Sequence, residues 1–325
     1  RAVKTLKADY RFALKWTPME NNLAELWSLF DFLLPGYLYS YPKFKKRFEH
    51  DIVKEDAVEA STKLKQMIEP FMLRRMKKEV MQDLPDKLEE NYYISLERSE
   101  EKLYQASLME AKQKLAQEAG EDAQAIQVLA LLTRLRQLAL DPRLIYDNIQ
   151  QASSKMKAAI ELIQQALANG QSVLVFSNFT SALDLLRDSL TDRAIPCLVL
   201  TGQTPKRARQ RSVEQFQASP GQVFLISLKA GGTGLNLTQA SIVIHLDPWW
   251  NESAQNQATD RAYRIGQENN VTVYKLIAKG TLEEKMEALK QEKSALFDRF
   301  VEGATGSVHH LSAEELRHLF LEGAD

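Results

Sequence analysis

"VFLISLKAGGTGLNLTQASIVIHL", residues 223–246, carries two wholly apolar runs on either side of a glycine-rich link. A run that is apolar at every position, and not only at alternate ones, belongs to a strand covered on both faces, as in a parallel sheet. Working outward, the same signal recurs as "VLVF" at 173–176, "CLVL" at 197–200 and "VTVYKLI" at 271–277. The segments between these runs are long enough for crossover helices, which the spacing predicts at 154–168, 180–190, 205–217, 251–263 and 281–298. Thr180 and Asn251 suit helix N-caps, Pro205 sits early in its helix, and Gly170 lies just past the end of another. The fold class expected is α/β: a parallel sheet with helices on both faces.

Residues 20–150 follow a different rhythm and read as mostly helical. Leu23, Leu26, Trp27, Phe30 and Leu33 or Leu34 recur at helical spacing, which is the pattern of a core-facing stripe. Ahead of it, "YRFAL" at 10–14 reads as a strand, and the next such segment is "NYYISL" at 91–96. Two strands alone are marginal in water and leave bare edges. The expectation is that 10–14 pairs with strands upstream of residue 1, and that the chain is part of a longer one.

Composition limits the function classes. The 325 residues are 44% apolar, enough for a substantial core in two or more units. Net charge is −1 and the pI near 6.6, so no global field draws the chain toward a polyanion, and any such site must be a local patch. The single cysteine, Cys197, fits a reducing compartment and reads as a buried thiol on a strand. Of five histidines only His309 and His310 are close neighbours, and no cysteine partners them at zinc spacing, so no bound metal is expected from these residues. No stretch approaches the roughly 20 apolar residues of a membrane span, and the opening residues lack the apolar core of a signal peptide. The expected setting is cytoplasmic, associated with a bacterial nucleoid, or nuclear if the source is eukaryotic.

The chemistry gathers at strand ends. "NQATDRAYRIGQ" at 256–267 sets Arg261 and Arg264 on one side of an expected helix, with Gln257 a further turn away. Such a pair has two readings. It can be satisfied on a solvated surface by Asp260, Glu268 or Glu252, or it can neutralise charge developing on a transferred phosphoryl group. A phosphate cradle of the form GxxxxGK[ST] is absent, because none of the 13 glycines is followed by lysine, and no Asp-Glu dipeptide occurs.

"SLKAGGTGLNLT" at 227–238 lets backbone amides approach a polyanion, or is simply a tight turn. "LTGQTPKRARQR" at 200–211 places Thr201 and Gly202 at a strand end and Lys206, Arg207, Arg209 and Arg211 on the helix after it, where a solvated basic face is the plainer reading. Trp249 and Trp250, just past a third strand, either pack between domains or lie against a sugar or base. Ligands of open parallel sheets collect at the carboxyl ends of strands, so all three segments fall on one rim.

The run from "VLVFSNF" through "LISLKAGGTGLNLTQASIVIHLDPWWNESAQNQATDRAYRIGQ" closely resembles the second RecA-like lobe of the Swi/Snf family of helicase-related, DNA-dependent ATPases. The likeness extends through "LLTRLRQLALDPRL" at 131–144, "PFMLRRMKKEVMQDLPDK" at 70–87 and "TPMENNLAELWSLFDFLLPG" at 17–36. It implies a P-loop-NTPase-like sheet at 151–300, a remnant of the first lobe at 1–40, helical protrusions and linker at 41–150, and a tail at 301–325.

By the same resemblance Arg261 and Arg264 are arginine fingers, and Gln257, Asp260 and Gln267 share their motif. Ser227, Lys229, Gly232, Thr233, Gly234 and Asn236 fall in the motif that touches DNA and couples it to the nucleotide. Ser177 and Asn178 fall in the fourth helicase motif, Thr201 and Gly202 in the adjoining backbone contact, and Trp250 on the DNA side. Thr17, Pro18 and Glu20 fall in the third motif, where Lys15 and Trp16 stand in place of the family's Thr-Gly. The basic residues Lys43, Lys45, Lys46, Arg47, Arg74, Arg75, Lys77 and Lys78 extend the DNA track, contact the partner lobe, or are simply solvated.

The resemblance implies ATP with Mg2+ held mainly by a first lobe, double-stranded DNA as a partner beside that lobe or a nucleoprotein complex, and no membrane partner. Two other classes are weighed. One is a non-catalytic module that binds DNA or the partner lobe. The other is a nicotinamide dinucleotide enzyme, suggested by "GGTGLN" and Asp247 but lacking the third glycine of the fingerprint, where Leu237 stands.

Overall fold

In the computed structural model of the chain, residues 8–14, 23–49, 57–73, 84–117, 121–231, 234–248 and 252–288 are described, and they fall into two compact units within 1–80 and 81–290. In the first unit the apolar stripe winds as α1 (Leu23–Leu33), followed by α2 (Tyr41–Phe44), a π-helical turn (Lys45–Glu49) and α3 (Ala57–Ile68). Leu26 and Phe30 sit with Phe44, Phe48, Leu64 and Ile68 in one core, with Leu23, Trp27 and Leu34 packed against it, as the stripe predicts. Residues 10–14 form no strand. Backbone groups need an edge to pair with, and none of the described residues supplies one, so Tyr10, Phe12 and Leu14 stand exposed at alternate positions. Arg11 is anchored, its Nη1 donating to Phe32 O at 3.0 Å.

The second unit is built on six parallel strands: β1 (Lys87–Ile94), β2 (Ser172–Ser177), β3 (Cys197–Leu200), β4 (Val223–Ser227), β5 (Ala240–His245) and β6 (Val271–Ala278). Their order across the sheet is β1-β6-β5-β2-β4-β3. Period-2 alternation divides the apolar runs between two cores. Val173, Val175, Leu225 and Ile244 face one side with α6 (Ser154–Ala168) and α7 (Thr180–Thr191). Leu174, Phe176, Phe224, Ile226 and Val243 face the other, against Phe216 of α8 (Lys206–Ala218) and Ala258 of α9 (Glu252–Thr259). Val173, Leu174 and Val175 are wholly buried, each contributing about 1.5–3 kcal/mol of apolar transfer energy.

β1 is the main revision to the sequence reading. Lys87–Ile94 pairs in parallel with β6 along its whole length, Lys87 opposite Val271 and Ile94 opposite Ala278, so the segment grouped with the helical half is the edge strand of the sheet. The hairpin α4 (Arg98–Gln117) and α5 (Glu121–Leu140) belongs to the same unit: Tyr104, Leu132, Leu135 and Leu138 pack with Ala278, Leu282 and Met286 at the end of β6 and the helix that follows it, α10 (282–288). The helix expected to run to residue 298 leaves the described residues after 288, and the tail at 301–325 lies outside them as well.

Local signals were partly right. α6 ends in a Schellman motif: Gly170, at φ +70°, donates to Leu167 O at 2.9 Å while Gln171 N donates to Ala166 O at 2.9 Å. Thr180 is not the cap of α7. Phe179 holds that position and its N–H goes to Ser177 Oγ at 3.0 Å. Cys197 lies on the sheet edge and is only half-buried, and burial still pushes its thiol pKa up, against the nearby Arg187.

Candidate functional site

Where β2 has neighbours on both sides, the chain first leaves toward β3 and β4 and later returns to β5 and β6, so the carboxyl ends of β2, β4 and β5 flank a topological switch point. Asp247, two residues past β5, is the hub of that end. Its Oδ1 accepts from Ser177 Oγ at 2.5 Å and Asn178 N at 3.1 Å, and its Oδ2 accepts from Asn178 Nδ2 at 2.6 Å and Arg136 Nη2 at 3.0 Å.

Arg136 also donates to Pro248 O at 3.2 Å and lies over the Phe179 ring at 5.2 Å. Burial pushes the Arg136 pKa down, while Asp247 and Glu283 pull it up. Nearby, Lys155 Nζ bonds Glu283 Oε2, both side chains fully buried, and the same oxygen accepts from Ala278 N at 2.9 Å. Burial raises the Glu283 pKa against Lys155, and Asp247 raises it further, so the two ion pairs sense each other.

This arrangement bears on two expectations. Ser177, expected on DNA, is 1% exposed with its hydroxyl spent on Asp247. Asn178 is half-buried and bound to the same carboxylate. Asp247 itself is committed to Arg136, which leaves no free acid for a ribose and removes the support for a dinucleotide enzyme.

The arginine pair does not lie on a helix. α9 stops at Thr259, whose Oγ1 is 3.0 Å from His245 Nε2, and the chain then turns. The carbonyls that would continue the helix are taken by other partners: Arg261 O accepts from Leu237 N at 2.9 Å, and Ala262 O from Gln267 Nε2 at 3.0 Å. Gln267 is buried. Its amide also donates to Ala240 O at 2.8 Å and accepts from Asn269 N at 2.9 Å, so it clamps the turn. The turn closes at Gly266 with φ +93°, a left-handed conformation open to glycine.

Arg261 is 8% exposed, whereas Arg264 is exposed and its Nη1 donates to Leu235 O at 3.0 Å. A third guanidinium joins them from α8, where Arg209 Nη2 donates to Ala230 O at 2.5 Å. The two outer arginines thus hold main-chain carbonyls at the two ends of the glycine link. Burial depresses the Arg261 pKa, and the positive charges of Arg264 and Arg209 add to this, with Asp260 opposing. Gln257 and Asp260 are half-buried.

On the link, Ser227 is 4% exposed, while Lys229, Gly234 and Asn236 are exposed. A Cβ on Gly231 would stand 3.0 Å from the Phe176 ring, so glycine is what lets the link pass against β2. Thr201 is half-buried and Gly202 exposed. Thr201 N donates to Thr204 Oγ1 at 3.0 Å. Thr17, Pro18, Glu20, Gly232, Thr233, Trp249, Trp250 and Asn251, and the basic residues at 74–78, lie outside the described residues. Sequence reasoning missed Arg136, Lys155, His245 and Glu283. The only local sign was charge or imidazole inside otherwise apolar patterns, as in "IVIHL".

Among the described residues no helix is long and apolar enough to cross a membrane. Residues 1–144 match the SNF2-related domain, and residues 154–266 the helicase conserved C-terminal domain. YwqA of Bacillus subtilis (strain 168), which carries the name of an ATP-dependent helicase/translocase, is 39% identical over 328 residues, covering 98% of this chain and 35% of that protein. The chain spans about a third of the length of curated relatives that it matches.

Among solved structures, the Sulfolobus solfataricus SWI2/SNF2 ATPase core domain is 37% identical with a TM-score of 0.61, covering 100% of this chain and 67% of that one. The same core in complex with dsDNA is 36% identical with a TM-score of 0.60, covering 99% of this chain and 66% of that one. The sheet is accordingly the RecA-like sheet of those ATPase cores, and the chain belongs to the SWI2/SNF2 family.

Proposed function

We propose that this chain is the C-terminal part of an ATP-dependent translocase on double-stranded DNA, and that its strand-end rim is the half of the motor that answers to nucleotide held elsewhere. The observation that carries the reading is the convergence of Arg261, Arg264 and Arg209 on the glycine link. Three like charges gathered beside one backbone segment, one of them nearly buried and only opposed in part by Asp260, favour the approach of an anion.

A triphosphate with Mg2+ fits that charge, and when bound it supplies a phosphoryl group for transfer to water. Arg264, exposed and pinned to Leu235 O, presents its guanidinium outward. Arg261, desolvated beside it, strengthens the field at that point. The cradle and the magnesium-holding acids are proposed to lie in a first lobe that is not in this sequence, because GxxxxGK[ST] and Asp-Glu are both absent from it. By the same proposal 1–40 belongs to the first lobe, and Thr17 and Glu20 are assigned to nucleotide binding by their motif.

The DNA side follows from exposure. Lys229, Asn236, Gly202 and Thr201 reach solvent at the rim and are proposed, with Gly232, Thr233, Gly234 and Trp250, as the contacts to the sugar-phosphate backbone, sequence-independent and salt-sensitive. Ser177, Asn178, Ser227 and Gln267 are proposed as positioning residues that hold these contacts from inside. Gln257 and Asp260 join Arg261 in coupling the two sides. The Sulfolobus core in complex with dsDNA supports the choice of duplex as partner.

The test is ATP hydrolysis by the complete protein with and without duplex DNA. Turnover that rises several-fold with duplex fits the proposal. Absence of turnover in both conditions, with duplex binding retained, makes the chain part of a binding module instead.

A further inference from the structure

Three arginines lie on the stretch formed by α5 and the 3-10 helical turn Pro142–Leu144, and their guanidinium groups are satisfied to different degrees. Arg136 holds Asp247 at 3.0 Å. Arg143 is gripped as a fork: its Nε donates to Asp141 Oδ1 and its Nη2 to Asp141 Oδ2, both at 2.9 Å. Arg134 is paired with no carboxylate among the described residues. Its Nη2 donates to Tyr146 Oη at 3.3 Å, its Cζ lies 5.8 Å from the centre of that ring, and its Nε, sealed from solvent, has no hydrogen-bond partner. Glu110, an acid whose charge interacts with Arg134, is taken by Lys114 at 2.7 Å.

The two atoms that close on a carboxylate in Arg143 are therefore left, in Arg134, with a long contact to a hydroxyl and with nothing. Water is the plain partner for a half-buried arginine, but this Nε is out of its reach, and a sealed donor without an acceptor is disfavoured. Arg134 also lines a cleft of about 610 Å3, a size common among ligand sites. Ala130, Leu144 and Ile145 supply its apolar walls, and Thr133 and Gln137 add a hydroxyl and an amide. None of the motifs described above includes this cleft.

We propose that the cleft binds an acidic peptide, one Glu or Asp side chain of which displaces the Tyr146 hydroxyl and closes the Arg134 fork. A single guanidinium matches a single carboxylate, which its planar fork takes in two parallel hydrogen bonds. A nucleic acid presents a row of phosphates and calls for a row of cations, whereas Arg134 is the one charged residue among the described residues lining the cleft. The apolar walls suit a leucine-sized neighbour of the acid, and the Gln137 amide, which both donates and accepts, suits a peptide bond. Neither nucleotide nor DNA takes part, so the site stands independently of the translocase reading.

The experiment titrates the full-length protein, by ligand-observed NMR, with two peptides blocked at both ends, Gly-Leu-Glu-Leu-Gly and Gly-Leu-Gln-Leu-Gly. Wild type is expected to bind the glutamate peptide roughly tenfold more tightly than the glutamine peptide. Arg134→Gln is expected to erase that preference, with a thermal midpoint equal to wild type because no carboxylate loses its partner. Tyr146→Phe, which removes the hydroxyl that the carboxylate must displace, is expected to bind the glutamate peptide about threefold more tightly. Ala130→Trp, at an exposed position on the wall, is expected to block both peptides without lowering the midpoint. Equal binding of the two peptides to wild type overturns the proposal, as does a preference that survives in Arg134→Gln. No gain in Tyr146→Phe overturns the displacement of the hydroxyl. Sodium butyrate that competes as well as the glutamate peptide overturns the peptide as occupant and assigns the cleft to a small acid.

Discussion

Arg136 Nη2 lies 3.0 Å from Asp247 Oδ2, 111 residues away in sequence, with both side chains sealed from solvent at the end of β2. The pair joins the helical hairpin to the rim, and it is not an isolated pair, since Asp247 also accepts from Ser177 and Asn178. Removing one partner of a buried pair leaves the other uncompensated, at a cost of about 3–5 kcal/mol. Arg136→Ala is therefore expected to lower the free energy of unfolding by that much, read from equilibrium urea unfolding. Arg136→Met with Asp247→Leu is expected to recover only part of the loss, because Ser177 and Asn178 then lack their acceptor. Full recovery by the double variant would show that the hydrogen bonds around Asp247 contribute little.

The contrast between that pair and the strands explains what the sequence could show. β2 to β6 were legible because burial on both faces demands unbroken apolar runs, and each run sits within two residues of its strand. β1 was not, because "KLEENYYI" is an edge strand whose first four residues face solvent, so it carries no such run. The family motifs placed Arg261 and Arg264 on the rim. Their spacing suggested a helix that the fold ends at Thr259, because Leu237 N and the Gln267 amide claim the next carbonyls. Contacts of that kind join residues with no local relationship, and periodicity does not record them. The same holds for Ser177, whose motif membership suggested DNA but whose hydroxyl turns inward to Asp247.

Arg209 is expected to act through the glycine link, by holding Ala230 O. Arg209→Ala in the full-length protein should lower DNA-stimulated kcat about tenfold, near 1.4 kcal/mol of transition-state stabilisation, with the KM for ATP nearly unchanged. Arg209→Lys should recover little, since a lysine lacks the planar fork. Steady-state kinetics check this, and an equal rise in KM with kcat intact would instead make Arg209 a ground-state binding group.

Glu89 gives a pH-dependent prediction on the sheet edge. Burial opposes its ionisation, but Lys87 at 2.5 Å and Lys275 at 2.9 Å together outweigh it and bring the pKa from 4.5 down to about 2. A carboxylate whose folded pKa lies below its unfolded one contributes stability that is complete above the unfolded value and is lost as pH falls toward the folded one. The window is therefore pH 4.5 down to 2. Glu89→Gln is expected to cost no more than about 1 kcal/mol near neutrality, since both partners are partly solvated, and this difference should shrink through that window. Thermal melts of both proteins at stepped pH check it, and a difference that grows on acidification would reverse the assignment.

The central claim is that the arginines beside the glycine link complete a nucleotide site whose other half lies elsewhere in the protein. The most direct measurement is ATP turnover by full-length Arg264→Ala at saturating duplex, with duplex affinity measured in parallel. The account predicts turnover reduced by about 10³-fold or more, with the duplex Kd within about threefold of wild type. Turnover near the wild-type rate would contradict it.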